Sequence, residues 1–113
     1  MTSVNEIINK HQSGFVYLQG YFYVLGGKNI TVFISDKEEF MPNDPFIMLP
    51  SNIADIVMSQ DEILGVLVGG IYLYYSVRIE IEGDISFSKE CACFENIYKL
   101  VLFNDDVKQS FII

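Results

Sequence analysis

Three carboxylates stand at alternate positions late in the chain, at Glu80, Glu82 and Asp84. In a continuous β-strand, side chains at this spacing share one face of the sheet and lie about 6 to 7 Å apart. Two carboxylates at about that separation can carry out acid–base chemistry on a glycosidic bond. The same three residues also form the polar half of an amphipathic strand, which is ordinary solvated surface, and we favour this second interpretation.

Other residues that could support catalysis are few. His11 is the only histidine, and helical spacing places it on the apolar side of the first predicted helix, where we expect it to pack rather than act as a base. Asp105 and Asp106 follow a predicted strand, but adjacent acids after asparagine are typical of a turn. The segment Gly65–Gly70 lacks the Lys–Ser/Thr ending of a phosphate-binding loop. We therefore expect a protein that is not an enzyme.

The two cysteines, Cys91 and Cys93, are separated by one residue, which is too short for an ordinary disulfide. A metal site at this pair needs further soft ligands, and the sequence offers only one histidine. We expect reduced thiols and neither a metal nor a cofactor. The first residues show no basic and apolar signal pattern, and the most apolar segment, about 13 residues long, is too short to span a membrane. The sequence thus predicts a cytoplasmic protein without a membrane partner.

Charge is distributed unevenly along the chain. The sequence contains 15 acidic and 7 basic residues, and all but one of the acids follow residue 34. The segment from Asp36 to Glu62 has seven acids against Lys37 alone. Such a surface repels phosphates and attracts cations. We expect a basic protein partner and no nucleic acid.

The elements that position these residues begin with a helix and a hairpin. Ser3 to Glu6 has the form of a capping box, and it predicts a helix over about 3–12. From Phe15 to Leu25 the apolar pattern alternates with a period of two, which indicates a long strand, and Gly20 at its centre suggests a bulge or bend. Gly26–Gly27 has the composition of a hairpin turn, and a second alternating strand follows.

Four further elements follow in the second half of the chain. A short strand is predicted at about 46–49, Ser51 can cap a helix, and the longest strand is expected over about 64–86. In that strand the residues 72, 74, 76, 78, 80 and 82 face outward. Gly83–Asp84 suggests a turn or bend, residues 97–103 a strand, and 110–113 an edge strand. We expect one shared core that includes Val16, Leu18, Phe22, Ile30, Val32, Leu73, Val77 and Ile79.

This order of elements predicts a single domain over residues 1–113. Its class is mostly β (α+β), with an OB-like five-stranded curved sheet or partly open barrel, one N-terminal helix and one short helix between strands 3 and 4. An antiparallel sheet with helices on one face is the competing arrangement.

Five tyrosines are predicted to point away from the aliphatic core. In OB-type folds such rings stack on single-stranded nucleic acid beside a basic groove, but the basic groove is missing from this acidic sequence. The first helix or the C-terminal tail could cover the rings. If they are uncovered, a protein interface is the better interpretation, because tyrosine is enriched at interface cores. The residues are Tyr17, Tyr21, Tyr23, Tyr72 and Tyr74.

In its size, acidic charge, β content and Ile-, Asn- and Tyr-rich composition, the chain resembles the small immunity proteins of bacterial toxin systems, including those of contact-dependent growth inhibition. The resemblance rests on overall character and on no shared motif, so no functional residue is carried over from that family. It implies a protein that binds a cognate toxin domain, often a cationic nuclease, and blocks its active site or substrate cleft.

The residues themselves predict a partner-binding surface made of carboxylates and aromatic rings. A homo-oligomer is also compatible with such a surface. The alternative is a small-molecule-binding or regulatory β-barrel module with its ligand in a mouth lined by Tyr and Phe; a defined internal pocket would favour it. The predicted contact residues are Glu38, Glu39, Tyr72, Tyr74, Glu80, Glu82 and Asp84.

Overall fold

A computed structural model describes residues 1–26, 29–60, 72–88, 91–104 and 107–113, with the backbone alone described at 72–75 and 104. Within these residues, two helices and six strands follow one another. They are α1 (Val4–Lys10), β1 (Gly14–Leu25), β2 (Thr31–Ser35), β3 (Phe46–Met48), α2 (Asn52–Gln60), β4 (Tyr72–Phe87), β5 (Ala92–Asn104) and β6 (Val107–Phe111).

The strands form a closed five-stranded barrel with one additional strand. The sheet order is β3-β2-β1-β4-β5-β6, and a parallel pairing of β3 with β5 closes the barrel. All the other neighbouring strands pair antiparallel, and β6 extends the sheet beyond β5. The predicted OB-like architecture is confirmed, including the short helix between the third and fourth strands. The C-terminal edge strand is also present, although it begins earlier than predicted.

The first helix begins where the sequence predicts it. The Ser3 hydroxyl accepts a hydrogen bond from the Glu6 amide at 3.2 Å, as a capping box requires. Val4 and Ile7 are buried in the core against β1 and β3. The helix ends at Lys10, so the prediction that His11 lies on its apolar face is wrong. His11 is the left-handed C-cap, and its exposed ring stacks on Phe87 with the centroids 3.9 Å apart.

The core is built from the inward positions of the alternating strands, largely as predicted. Ile79 and Ile81 of β4 are buried, Val77 is partly buried against the same core, and Arg78 is exposed, which confirms the register of that strand. Ile30 is 38% exposed because it precedes β2, so its predicted place in the core is wrong. Leu73 lies among the residues whose side chains are not described. The remaining predicted core residues, Val16, Leu18, Phe22 and Val32, are buried.

Two glycines allow neighbouring strands to approach closely. A Cβ atom at Gly20 would lie 2.7 Å from the Ser35 carbonyl oxygen, so the close approach of β1 to the end of β2 requires glycine. A Cβ at Gly83 would lie 2.2 Å from the Asn96 carbonyl oxygen. The sequence predicts a turn or bend at Gly83–Asp84, and the structure has no turn there. β4 continues through both residues, and shifts in its pairing with β5 mark an irregularity on either side of them.

The second helix and the last strand are joined by side-chain hydrogen bonds to the backbone. Ile53 and Val57 of α2 and Phe111 of β6 are buried in the common core. The Gln60 side chain accepts a hydrogen bond from the Ile112 amide at 3.0 Å and donates one to the Ile112 carbonyl at 2.8 Å. Its amide group thus makes the same pair of hydrogen bonds as the backbone of a neighbouring strand. The predicted Gly26–Gly27 turn extends beyond the described residues at Gly27. No helix in the described part of the chain is long and apolar enough to cross a membrane.

Candidate partner-binding surface

The outward side of β4 carries the three carboxylates that the sequence singles out. β4 lies between β1 and β5, so this row is in the middle of a three-stranded surface on the outside of the barrel. Glu80, Glu82 and Asp84 are each partly exposed. We call these three residues, together with Tyr17 of β1 and Tyr98 of β5, the acidic face. Its carboxylates are therefore accessible to a partner from outside the barrel.

Tyrosine hydroxyls from both neighbouring strands bind this row. The Tyr17 hydroxyl donates to Glu80 Oε1 at 3.0 Å, and the Tyr98 hydroxyl donates to Asp84 Oδ2. The hydrogen bond to Glu80 is the main cause that raises the pKa of Tyr17 above its ordinary value, and burial adds to it. The bond to Asp84 raises the pKa of Tyr98 in the same way. These bonds fix the orientation of two carboxylates and favour the neutral phenol at each tyrosine.

The Asp84 end of the acidic face is flanked by exposed aromatic rings. Beside Asp84, the rings of Phe15 and Tyr98 stack with centroids 6.3 Å apart, and these side chains are 59% and 61% exposed. On the neighbouring strand Lys99 lies directly opposite Glu82 in the register. The Asp84 end therefore presents two exposed rings beside a carboxylate, which is a combination suited to a protein contact.

Glu38 and Glu39 lie on the loop that joins β2 to β3, and both are exposed. The Glu38 carbonyl accepts hydrogen bonds from the Tyr23 hydroxyl at 2.9 Å and from the Ser76 hydroxyl at 2.6 Å. These bonds hold the loop against the outside of β1 and β4. Since Ser76 is four residues before Glu80, the loop is about 13 Å along β4 from the first carboxylate. The structure thus places Glu38 and Glu39 near one end of the acidic face.

The outward tyrosines have different environments. Tyr17 and Tyr21 are partly buried beside β4, as expected for neighbouring strands. Tyr23 points outward but is 0% exposed, because the loop after β2 covers it and accepts from its hydroxyl, so the prediction that it belongs to an open surface is wrong. The backbones of Tyr72 and Tyr74 pair with the end of β1. Their side chains lie outside the described residues, so their predicted contact role stays a prediction.

A polar pocket of about 380 Å³ opens between Tyr21, Arg78 and the start of α1. The Arg78 guanidinium lies over the Phe103 ring at 5.8 Å from its centroid. Ser3, Gln19, Gly20 and Asp36 complete the lining. The pocket lies just beyond the Glu80 end of the acidic face, so it supplies that end with a cation and uncharged hydrogen-bonding groups.

The carboxylate of Asp36 is engaged by the helix rather than free in this pocket. Its two oxygens accept hydrogen bonds from the backbone amides of Val4 and Asn5, each at 2.7 Å. An anion at this place satisfies amides that have no partner within the helix. Asp36 therefore ties α1 to the end of β2.

The remaining candidates for chemistry have ordinary environments or lie outside the described residues. Cys91 and Cys93 are free thiols near serine hydroxyls at the end of β4 and just after it, with Cys93 Sγ 3.9 Å from Ser86 Oγ and Cys91 Sγ 3.6 Å from Ser88 Oγ. In the described ranges, no cluster of three or more His, Cys, Asp or Glu could hold a metal ion. Asp105 and Asp106, like the Gly65–Gly70 segment, fall outside the description.

No protein-family model, curated protein or solved structure matches this chain.

Sequence reasoning missed two residues that shape this surface. Tyr98 was not expected to reach Asp84, because it lies where the pairing of β5 with β4 is irregular and simple alternation fails. Asp36 was counted only as part of a charged segment, although it caps a helix 32 residues earlier in the chain. Local pattern contains no signal for either long-range contact.

Proposed function

We propose that this protein is a cytoplasmic protein-binding module that neutralises a cognate toxin domain, as bacterial immunity proteins do. The observation that carries the proposal is the acidic face, in which accessible carboxylates alternate along one strand between aromatic residues of the two adjacent strands. Aromatic rings supply the desolvated centre of many protein interfaces, and charges around them select the partner. Two free thiols are compatible with the reducing interior of a cell.

The charge of the surface favours a basic partner. Glu38 and Glu39 at one end add to the three carboxylates of β4, and the whole chain has a formal net charge of −8. Long-range attraction of a cationic domain speeds the diffusional encounter and aligns the two surfaces before contact. A nuclease cleft is basic because it binds phosphates, so an acidic face of this kind can occupy the cleft and exclude the substrate.

Recognition suits this carboxylate row better than catalysis. Glu80 and Asp84 each accept a hydrogen bond from a tyrosine hydroxyl, which holds them in place and partly satisfies them. We therefore propose that the protein is not an enzyme. Replacement of Glu80 and Glu82 by alanine should leave the fold intact and weaken partner binding, whereas loss of a measurable turnover in that variant would support an enzyme.

A small-molecule-binding module is the second candidate, and the 380 Å³ pocket beside Arg78 is the observation that favours it. Its volume falls within the range of about 300 to 1,000 Å³ that is usual for ligand sites. The ligand was expected in a barrel mouth, but the barrel interior is filled by aliphatic and aromatic side chains of the described strands. A ligand of this module would therefore bind on the outside of the barrel.

Capture of the partner from the protein's own host tests the proposal. Tagged wild-type protein should enrich a basic protein, and the Glu80→Lys/Glu82→Lys variant should lose it. A matched variant, Glu6→Lys/Asp55→Lys, changes the net charge equally on exposed positions of the two helices and should retain it. Equal capture by all three proteins, or an acidic partner, would contradict the proposal.

The two tyrosines predicted for the centre of the contact have a separate test. If Tyr72 or Tyr74 is a central contact, its replacement by alanine should cost about 2 kcal/mol or more of binding energy. That cost corresponds to about a 30-fold faster dissociation at an unchanged association rate. Surface-based kinetics with the captured partner would measure it, and unchanged dissociation in both variants would remove these residues from the site.

A further inference from the structure

A second group of aromatic rings packs on the outside of the barrel, apart from the main core. The Phe33 ring of β2 stacks on Tyr23 with centroids 4.9 Å apart and an interplanar angle of 6°. Phe40, from the loop after β2, lies 4.8 Å from Phe33, and Phe46 of β3 lies 5.8 Å from it. We call these four residues the outer aromatic cluster. Rings in mutual contact at these distances pack together as an apolar surface.

The outer aromatic cluster borders a pocket that opens to the surface. The pocket has a volume of about 150 Å³ and is lined by Thr31, Phe33, Phe40, Phe46 and Met48. An apolar cavity of about this volume is large enough for a benzene molecule. One branched aliphatic or aromatic side chain therefore fits, whereas a whole cofactor does not.

The loop that supplies Phe40 is acidic. Between β2 and β3 it contains Asp36, Glu38, Glu39 and Asp44 against a single base, Lys37. Lys37 is itself paired with Asp44, since its Nζ lies 3.1 Å from Asp44 Oδ1. Among the described residues of this loop, the exposed acidic side chains are thus those of Glu38 and Glu39. When a partner's apolar side chain enters this pocket, the residues that flank it in the partner's sequence lie close to these carboxylates. Basic residues at the flanking positions therefore complement the loop best.

The same loop extends from the pocket to β4, where its contact at Ser76 lies about 13 Å along the strand from Glu80 of the acidic face. Phe40 forms part of the pocket wall, and two residues earlier the Glu38 carbonyl is bonded to Ser76 of β4. A partner surface that spans the loop can therefore reach both places at once.

From this arrangement we propose that the pocket of the outer aromatic cluster binds one apolar side chain, presented by a basic segment of the partner protein. The inference rests on the proposed function only in taking the partner to be a basic protein. The pocket supplies the apolar anchor of the complex, and the carboxylates of the loop select the residues that flank this anchor. Apolar anchors in fitted pockets carry much of the energy of an interface, whereas exposed rim charges contribute mainly to the rate of encounter.

Three short peptides test the anchor and its charge preference separately, by titration followed with NMR. The first has a central leucine between two arginines and two lysines, the second has alanine at the centre, and the third has leucine among four glutamates. The leucine-centred basic peptide should bind about tenfold more tightly than its alanine analogue, because several buried methyl and methylene groups are lost. Contacts between its leucine methyls and the Phe33 and Phe46 ring protons should appear in nuclear Overhauser spectra.

Filling the pocket provides the matched test on the protein side. Thr31→Trp places a ring in the pocket and should reduce affinity for the leucine peptide to that for the alanine peptide. Ser110→Trp adds the same side chain at an exposed position of β6 and should have no effect. Should Thr31→Trp fail to fold, the Overhauser contacts of the wild-type protein still decide the matter.

The outcomes separate this inference from the proposed function. Equal binding of the leucine and alanine peptides, with the preference for basic flanks intact, overturns the pocket assignment and leaves the acidic surface standing. Equal or tighter binding of the glutamate peptide overturns the partner chemistry of both. Failure of all three peptides to bind overturns the pocket assignment, whereas the proposed function is still decided by partner capture.

Discussion

Removal of the Asp36 carboxylate should loosen α1 from the barrel. In the Asp36→Ala variant, two backbone amides lose acceptors that lie 2.7 Å away. Hydrogen bonds to a charged group contribute about 1.5 to 3 kcal/mol each, and favourable charge at a helix start adds about 0.3 to 1 kcal/mol. Water can replace the acceptor at the exposed Asn5 amide but less readily at the partly buried Val4 amide. We therefore expect a loss of about 2 to 3 kcal/mol in the free energy of unfolding.

Urea denaturation followed by circular dichroism measures this loss as a lower midpoint at unchanged slope. Glu39→Ala is the matched control, because it removes an exposed carboxylate from the same loop and should change stability by less than about 0.5 kcal/mol. Asp36→Asn should fall between the two, since its amide keeps one acceptor oxygen and loses the charge. A midpoint for Asp36→Ala equal to that of Glu39→Ala would refute the structural role assigned to this carboxylate.

Three further predictions concern single residues. Gly83→Ala should destabilise the fold by about 2 to 4 kcal/mol in thermal unfolding, because the added Cβ would lie 2.2 Å from a backbone oxygen. Gly14→Ala is the control: its Cβ has no atom within 4 Å, so it should cost only the backbone strain of a φ of +91°. Equal losses of stability in the two variants would contradict this prediction. The bond to Asp84 raises the pKa of Tyr98, so its stabilisation is fully present below pH 10 and is lost as pH rises through the folded pKa. Tyr98→Phe should therefore flatten the alkaline fall in stability, and an unchanged alkaline profile would argue against the bond. Tyr23→Phe removes a hydroxyl that donates to two loop carbonyls, and it should lower the free energy of unfolding by about 1 kcal/mol. Amide hydrogen exchange in the loop after β2 should become faster. Unchanged exchange would show that these hydrogen bonds do not hold the loop.

The architecture could be predicted because its main strands follow simple alternation. Phe22 and Val24 in β1, and Ile79 and Ile81 in β4, are buried at the positions that a period of two indicates. The order of elements then favoured an OB-like barrel. The prediction failed at Gly83, because a glycine that ends a strand and one that permits a bulged close approach have the same local sequence.

The candidate site could be predicted only in part. The carboxylates of β4 follow from alternation, but the burial of Tyr23 depends on the path of a loop that the sequence pattern does not specify. The outer aromatic cluster left one signal in the sequence. Val32, Phe33 and Ile34 form a continuous apolar run, which indicates a strand buried on both faces, and both faces of β2 are indeed covered. Nothing local identifies Phe40 and Phe46 as the residues that cover the outer face.

The rate of association with the captured partner at two salt concentrations tests the acidic face most directly. Reversal of Glu38, Glu39, Glu80 and Glu82 to lysine should slow association at low salt at least tenfold and remove most of its salt dependence, because exposed charges act mainly on encounter. The Glu6→Lys/Asp55→Lys variant should keep most of the wild-type salt dependence, and circular dichroism should confirm that both variants are folded. Unchanged association rates in the folded four-residue variant would contradict the account and leave the small-molecule module as the better explanation.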